Sequence, residues 1–149
     1  MTQHPPNTGA LWKIRSFEMS DYDAVRRLWE QAGPGLQLRP SDEREEIAKR
    51  CAIDDDLFLV AELDDAIVGV IMGGWDGRRG WLHHLTIDVA HGGRGIARSL
   101  VGAVEAALRA RGCLKINLLV FEHNHPARGL YRRLGYSEMH EILPMGKEL

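Results

Sequence analysis

Residues able to move protons and to hold phosphate fall close together in the middle of this chain. His83 and His84 open an alternating run, Leu85-Thr86-Ile87-Asp88-Val89, that leads into Gly92-Gly93-Arg94-Gly95-Ile96-Ala97. Leu85, Ile87 and Val89 alternate as in a strand, whereas Ile96, Leu100, Val104 and Leu108 recur every fourth residue, as on one helix face. Gly92, Gly93, Gly95 and Ala97 carry nothing larger than a methyl group. A strand that turns through such residues into a helix leaves unpaired backbone N–H groups at the positive end of the helix dipole, which suits phosphate. The same glycines would also serve a tight turn that needs only their backbone angles. Arg94 and Arg98 stand where they could add positive charge near a phosphate.

A second cluster follows the apolar run Ile116 to Phe121. It reads Asn124-His125-Pro126-Ala127-Arg128-Gly129-Leu130-Tyr131-Arg132-Arg133-Leu134-Gly135-Tyr136. Pro126 suits the first turn of a helix, where its missing N–H costs nothing, and Gly135 is placed to end that helix in a left-handed conformation. Together the two segments resemble the GNAT superfamily of N-acetyltransferases. Its phosphate motif is Gln/Arg-x-x-Gly-x-Gly/Ala, and its later motif is Asn-x-x-Ala-x-x-Leu-Tyr-x-x-x-Gly-Phe/Tyr. Gly95 and Ala97 fill the last two fixed positions of the first; Asn124, Ala127, Leu130, Tyr131, Gly135 and Tyr136 fill the second. Gly92 stands where the family usually has Gln or Arg. The donors that follow are backbone groups, so binding of CoA is expected to survive that departure. Among named groups the nearest resemblance is to small bacterial YpeA-like acetyltransferases.

The resemblance implies an α/β fold with a mixed central β-sheet, splayed at the cofactor site and flanked by helices. It implies acetyl transfer from acetyl-CoA to a primary amine by direct attack. It assigns the pyrophosphate to the backbone of Gly92, Gly93, Arg94, Gly95, Ile96 and Ala97, with Arg94 and Arg98 beside it. The strand edge Leu85, Thr86 and Ile87 would pair with the pantetheine arm, and an N–H near Ile87 would face the thioester oxygen. Asn124 would meet the pantetheine or exposed backbone at the splay; as a residue alone, it also reads as a helix cap. Tyr131 matches the family's general acid for the departing thiolate. A thiol near 8.5 and a phenol near 10 are close enough in pKa for that transfer. The implied acceptor is an amine-bearing small molecule or peptide, and a homodimer is compatible with all of this. The alternative is the same fold kept as a non-catalytic acyl-CoA-binding or interaction module.

The proton acceptor is less marked. The family often uses a carboxylate on the strand of Trp81 to Asp88 or on that of Ile116 to Phe121, yet neither carries a Glu in its middle. His83 shares a strand face with Leu85 and Ile87 if the strand is regular, and His84 takes its place if a bulge intervenes. Either histidine suits base chemistry near neutral pH, and Glu122 at the strand end is the other candidate. At pH 7 roughly one α-amine in seven is neutral, against roughly one lysine in 2500, so a site without a strong base leans towards amines of low pKa. Glu43, Glu45, Glu46 and Asp54-Asp55-Asp56 fall in the region the family uses for the acceptor, where they would draw in a cation or form a solvated face.

Around these residues the pattern predicts the order β-α-α-β-β-β-α-β-α-β. Leu11 to Phe17 reads as a strand. Ser20 with Asp23 resembles a capping box ahead of a helix whose apolar face is Tyr22, Val25, Leu28, Trp29 and Ala32. Gly33-Pro34-Gly35 ends it, and Pro40-Ser41 opens an acidic helix over Glu43 to Arg50. Leu57 to Leu63, Ile67 to Trp75 and Trp81 to Asp88 read as strands joined by turns at Asp64-Asp65 and Asp76-Gly77. A helix from Ile96 to Arg111 stops at Gly112. The Ile116 strand, the Pro126 helix and a last strand from Tyr136 to Ile142 complete a mixed sheet flanked by helices.

A chain of 149 residues with 44% hydrophobic and 27% charged residues suits one soluble domain. Residues 1–10 read as a disordered lead-in and 11–149 as a single acetyltransferase domain. A net charge of −2 gives no basic footprint for nucleic acid. No apolar run approaches the roughly 20 residues that span a membrane, and the first residues lack the pattern of a signal peptide. The cytoplasm is the expected location. Cys51 and Cys113 are expected to be free rather than paired. No metal site is expected. A dinucleotide-binding unit is disfavoured, because no early strand-Gly-x-Gly-x-x-Gly-helix occurs with an acidic residue about 20 positions on. A Gly-Lys-Ser/Thr phosphate loop is missing too.

Overall fold

The computed structural model describes residues 12–149; the lead-in expected over 1–10 lies outside them. Nine regular elements follow in order. They are β1 (Lys13–Ser16), α1 (Tyr22–Gln31), α2 (Arg44–Cys51), β2 (Phe58–Leu63), β3 (Ala66–Trp75), β4 (Gly80–Ile87), α3 (Ile96–Ala110), β5 (Ile116–Leu118) and α4 (His125–Arg133). The five strands form one mixed sheet in the order β1-β2-β3-β4-β5. β1 to β4 are antiparallel, and β5 joins β4 in parallel after the α3 crossover. A parallel pair needs such a crossover, and the long amphipathic helix supplies it.

Each sheet face buries one cluster. On one side Leu57, Leu59, Ile71 and Leu82 pack against Ile96, Leu100, Val104 and Leu108 of α3. On the other, Phe58, Val60 and Val70 meet Tyr22, Val25, Leu28 and Trp29 of α1. Strand alternation thus divides the residues of β2 between the two helical layers.

The N-terminal cap of α1 departs from the Ser20–Asp23 pairing expected from sequence. Asp21 is the capping carboxylate, accepting the Glu18 N–H at 2.9 Å and two bonds from Arg15 at 2.8 and 2.9 Å. A 3₁₀ turn over Met19–Asp21 brings the helix in one step earlier.

The last strand expected over Tyr136 to Ile142 is not formed, and β5 is shorter than expected. Glu138 supplies the physical reason. Its carboxylate is held by Arg128 at 2.7 Å and by Arg132, both on α4, which keeps the segment off the edge of β5. A groove of about 650 Å³ lies between them, lined by Ile116, Leu118, Tyr131, Tyr136, Met139 and Ile142 among others.

Candidate active site

The strands β4 and β5 pair only from Gly80 with Ile116 to Leu82 with Leu118. Beyond Leu82 the strand β4 runs on to Ile87 while β5 has ended. The backbone of His83 to Ile87 therefore keeps an open edge on that side, and the sheet parts there. Backbone N–H and C=O groups at such an edge are available to a ligand.

The open edge leads to the glycine turn. Gly93 has φ of 75° and Gly95 a φ of 92°, both left-handed conformations that disfavour side chains. Gly95 is the N-cap of α3, which receives no side-chain cap. The first helical bond runs from the Ser99 N–H to the Gly95 carbonyl at 3.1 Å. The N–H groups of residues 93–98 meet no backbone or side-chain acceptor among the described residues. They form an anion-binding cradle at the positive end of a 15-residue helix. Gly92, Gly93, Arg94, Gly95 and Arg98 are exposed, and Ile96 is buried as the anchor of the helix in the core.

The two histidines differ from the regular-strand expectation. The register between β3 and β4 shifts between Val70 and Met72, and His84 takes φ of 51°. This is a β-bulge, which turns the faces over. Leu82, Leu85 and Ile87 all reach the α3-side core as a result. His83 therefore does not share a face with Leu85 and Ile87. Its ring stacks on Trp81 at 6.4 Å and is exposed at the mouth of the gap. Crowding around the ring, then the charges of His84 and Arg50, hold its pKa below the ordinary histidine value.

His84 turns towards α1. Its ring meets Trp29 edge-on at 5.3 Å, and Nε2 lies 2.8 Å from Oδ1 of Asp42. Asp42 is buried, and its other oxygen accepts the Arg39 N–H at 2.9 Å. Sequence reasoning missed Asp42, because 42 positions separate it from His84 and no local motif marks the contact.

Tyr131 packs against the α3-side core and lines the groove beside β5. Burial pushes its phenol up to about 12, so it holds its proton throughout the physiological range. Tyr136 crosses it edge-to-face at 5.8 Å and donates to Glu105 at 3.0 Å. Gly135 has φ of 95°, the left-handed helix end that its motif implied.

Asn124 is the N-cap of α4, accepting the Ala127 N–H at 3.3 Å. Its Nδ2 lies against Gly35, where a Cβ would come within 2.5 Å. Asn124 thus bridges the loop after α1 to the start of α4.

The acidic residues expected to attract an acceptor are largely matched by cations of the chain itself. Asp54 and Asp56 bind Arg111, Glu43 faces Arg26, and Glu46 binds Lys49. Glu122 is exposed, and its carbonyl accepts from Arg128 at 2.7 Å. Cys51 and Cys113 are free.

A sequence profile of the Acetyltransferase (GNAT) family matches residues 22–136, the span that carries both motifs and the open strand edge. The chain belongs to the GNAT acetyltransferase family. An acetyltransferase of Pectobacterium atrosepticum is 43% identical over 138 residues, covering 92% of this chain and 95% of that protein. One of Yersinia enterocolitica is 41% identical over the same shares. The fold resembles Ard1 from Thermoplasma volcanium, with a TM-score of 0.76 and 19% identity over 86% of this chain and 84% of that one. It also resembles the PaiA N-acetyltransferase from Thermoplasma acidophilum, described in complex with coenzyme A. There the TM-score is 0.74 at 19% identity, over 83% and 87% of the two chains.

Acetyl-CoA is the acetyl donor of this GNAT acetyltransferase family, and the residues present fit it. The left-handed glycines leave open space, since a Cβ built at Gly93 or Gly95 meets no atom within 4 Å. That space lies before unpaired N–H groups, as a phosphate requires. The open edge of β4 offers backbone donors and acceptors of the kind an amide-bearing pantetheine needs.

Proposed function

We propose that this acetyltransferase moves the acetyl group of acetyl-CoA to a primary amine of a small molecule or peptide by direct attack. The observation that carries the reading is the parting of β4 and β5 beyond Leu82, which opens the strand edge that leads to the glycine cradle. The backbone from Gly92 to Ala97 holds the pyrophosphate, with Arg94 and Arg98 at its side. Leu85, Thr86 and Ile87 align the pantetheine arm along the strand edge. Asn124 meets the pantetheine or the exposed backbone at the splay.

Acetyl-CoA supplies an activated acyl group, and the chain supplies position and proton control. A strand N–H near Ile87 stabilises charge that grows on the carbonyl oxygen. Tyr131 gives its proton to the departing sulfur. Burial keeps Tyr131 protonated beforehand but makes it a weaker acid towards a thiol, so the transfer depends on a direct hydrogen bond between the two. The acceptor's proton leaves through a single base, for which His83, His84 and Glu122 are the alternatives.

A thiol-release assay over amino acids, polyamines, aminoglycosides and peptides with free N-termini tests the reading. Mass spectrometry of the product completes it. The expected result is thiol release matched by one N-acetylated product. Saturable CoA binding without amine-dependent release from any member would overturn catalysis and leave a binding module.

A further inference from the structure

We propose that His84 is the proton acceptor for the amine and that Asp42 is its positioning residue. This rests on the acetyl-transfer reading above and names the group that the reading leaves open among His83, His84 and Glu122.

Several observations converge. His84 lies at the bulge of β4, two residues past Leu82, the last residue paired with β5. It therefore stands at the root of the open edge, beside the segment that aligns the acyl arm. Its left-handed φ of 51° is a conformation histidine rarely takes, and the surrounding contacts hold it there. The Asp42 carboxylate accepts from Nε2 at 2.8 Å, which leaves the lone pair on Nδ1. Asp42 is itself fixed on three sides: by the Arg39 N–H on Oδ2, by the Tyr22 hydroxyl on its carbonyl at 2.8 Å, and by burial to 4% exposure. The imidazole remains reachable, with 26% of its side chain exposed. His83 has no comparable carboxylate among the described residues.

An imidazole held by a buried carboxylate through one nitrogen is a base at the other, in the way a carboxylate orients histidine in hydrolytic triads. The proton balance closes. An ammonium carries three N–H bonds and the amide product keeps one. One of the two protons shed passes to Nδ1 of His84 and on to water, and the imidazolium faces Asp42 while it lasts. The nitrogen lone pair forms the new C–N bond as the C–S pair leaves with sulfur. Sulfur takes the Tyr131 proton, and the second proton from nitrogen restores Tyr131.

The test combines tautomer and kinetics. ¹⁵N NMR of the imidazoles at alkaline pH is expected to find His84 in the Nε2–H tautomer. Asp42→Asn should leave a mixed or Nδ1–H population. With thiol release limited by chemistry, His84→Gln should lower kcat by about 10² or more. Asp42→Asn should lower kcat by at least about tenfold with little change in the KM for acetyl-CoA, as expected of a residue that acts through another. His83→Ala should stay within a few-fold of wild type. An Nδ1–H tautomer in the wild type would overturn the pairing whatever the turnover. A kcat within twofold in His84→Gln, or a larger loss in His83→Ala, would overturn the assignment. If Asp42→Asn fails to fold, the wild-type tautomer and His84→Gln still decide. Absence of turnover with every amine counts against the acetyl-transfer reading instead, and leaves the tautomer result standing.

Discussion

Replacing Gly95 with valine separates a loop that binds phosphate from one that merely turns. Gly95 has φ of 92°, and a Cβ built there meets no protein atom within 4 Å. Valine would therefore not clash with the fold. Its cost is conformational: about 1–2 kcal/mol for an L-residue held in left-handed space. At about 2–4 °C per kcal/mol for a chain of this size, Tm should fall by about 2–8 °C. Binding should suffer more than folding. To escape the left-handed region the loop must rotate its N–H groups away from their common focus. A hydrogen bond to a charged acceptor contributes about 1.5–3 kcal/mol, so losing two weakens CoA by about 100-fold or more. Calorimetry with CoA at fixed salt reads this directly, with circular dichroism to confirm folding. An unchanged Kd in folded Gly95→Val would show that the phosphates lie elsewhere.

Tyr131→Phe should keep the fold and most CoA affinity while lowering turnover by about 10² or more, as loss of a general acid does; turnover within twofold would reduce Tyr131 to packing. His83, whose folded pKa lies below its ordinary value, adds stability that is present above pH 6.5 and lost as pH falls through the folded pKa. Urea unfolding at pH 7.5 and pH 5 should accordingly show a smaller acid loss in His83→Asn than in wild type, and an equal loss would contradict the lowered pKa. Gly73→Ala should destabilise by about 1–3 kcal/mol, because the new Cβ would lie 2.7 Å from Val104 and 2.9 Å from the Leu57 carbonyl; an unchanged denaturation midpoint would refute that close packing of α3 on β3. Glu138→Gln should speed amide exchange over residues 136–142 by loosening the hold of Arg128 and Arg132, while exchange in α3 stays as in wild type.

Local pattern makes most of the scaffold readable in the sequence. The fourfold spacing of Ile96, Leu100, Val104 and Leu108 marks the buried face of α3, and all four are in the core. Gly95 and Gly135 mark left-handed turns, and both have positive φ. What escaped the sequence depends on contacts between distant segments. Two adjacent histidines carry no apolar signal to report which of them faces inward, so the bulge at His84 leaves no trace in the pattern. Asp42 lies in the turn before α2, and only tertiary packing brings it to the imidazole. The segment Tyr136 to Ile142, expected as a strand, carries its apolar residues three apart rather than two, and Glu138 ties it to α4 in place of strand pairing at a short edge.

The most direct test of the central claim is amide chemical-shift mapping of the wild-type protein with CoA. The account predicts saturable shifts concentrated at Leu85 to Ile87 and at Gly93 to Arg98, with smaller ones at Asn124 and Tyr131. Shifts confined to the groove between β5 and Met139 to Ile142, with residues 85–98 unmoved, would contradict it.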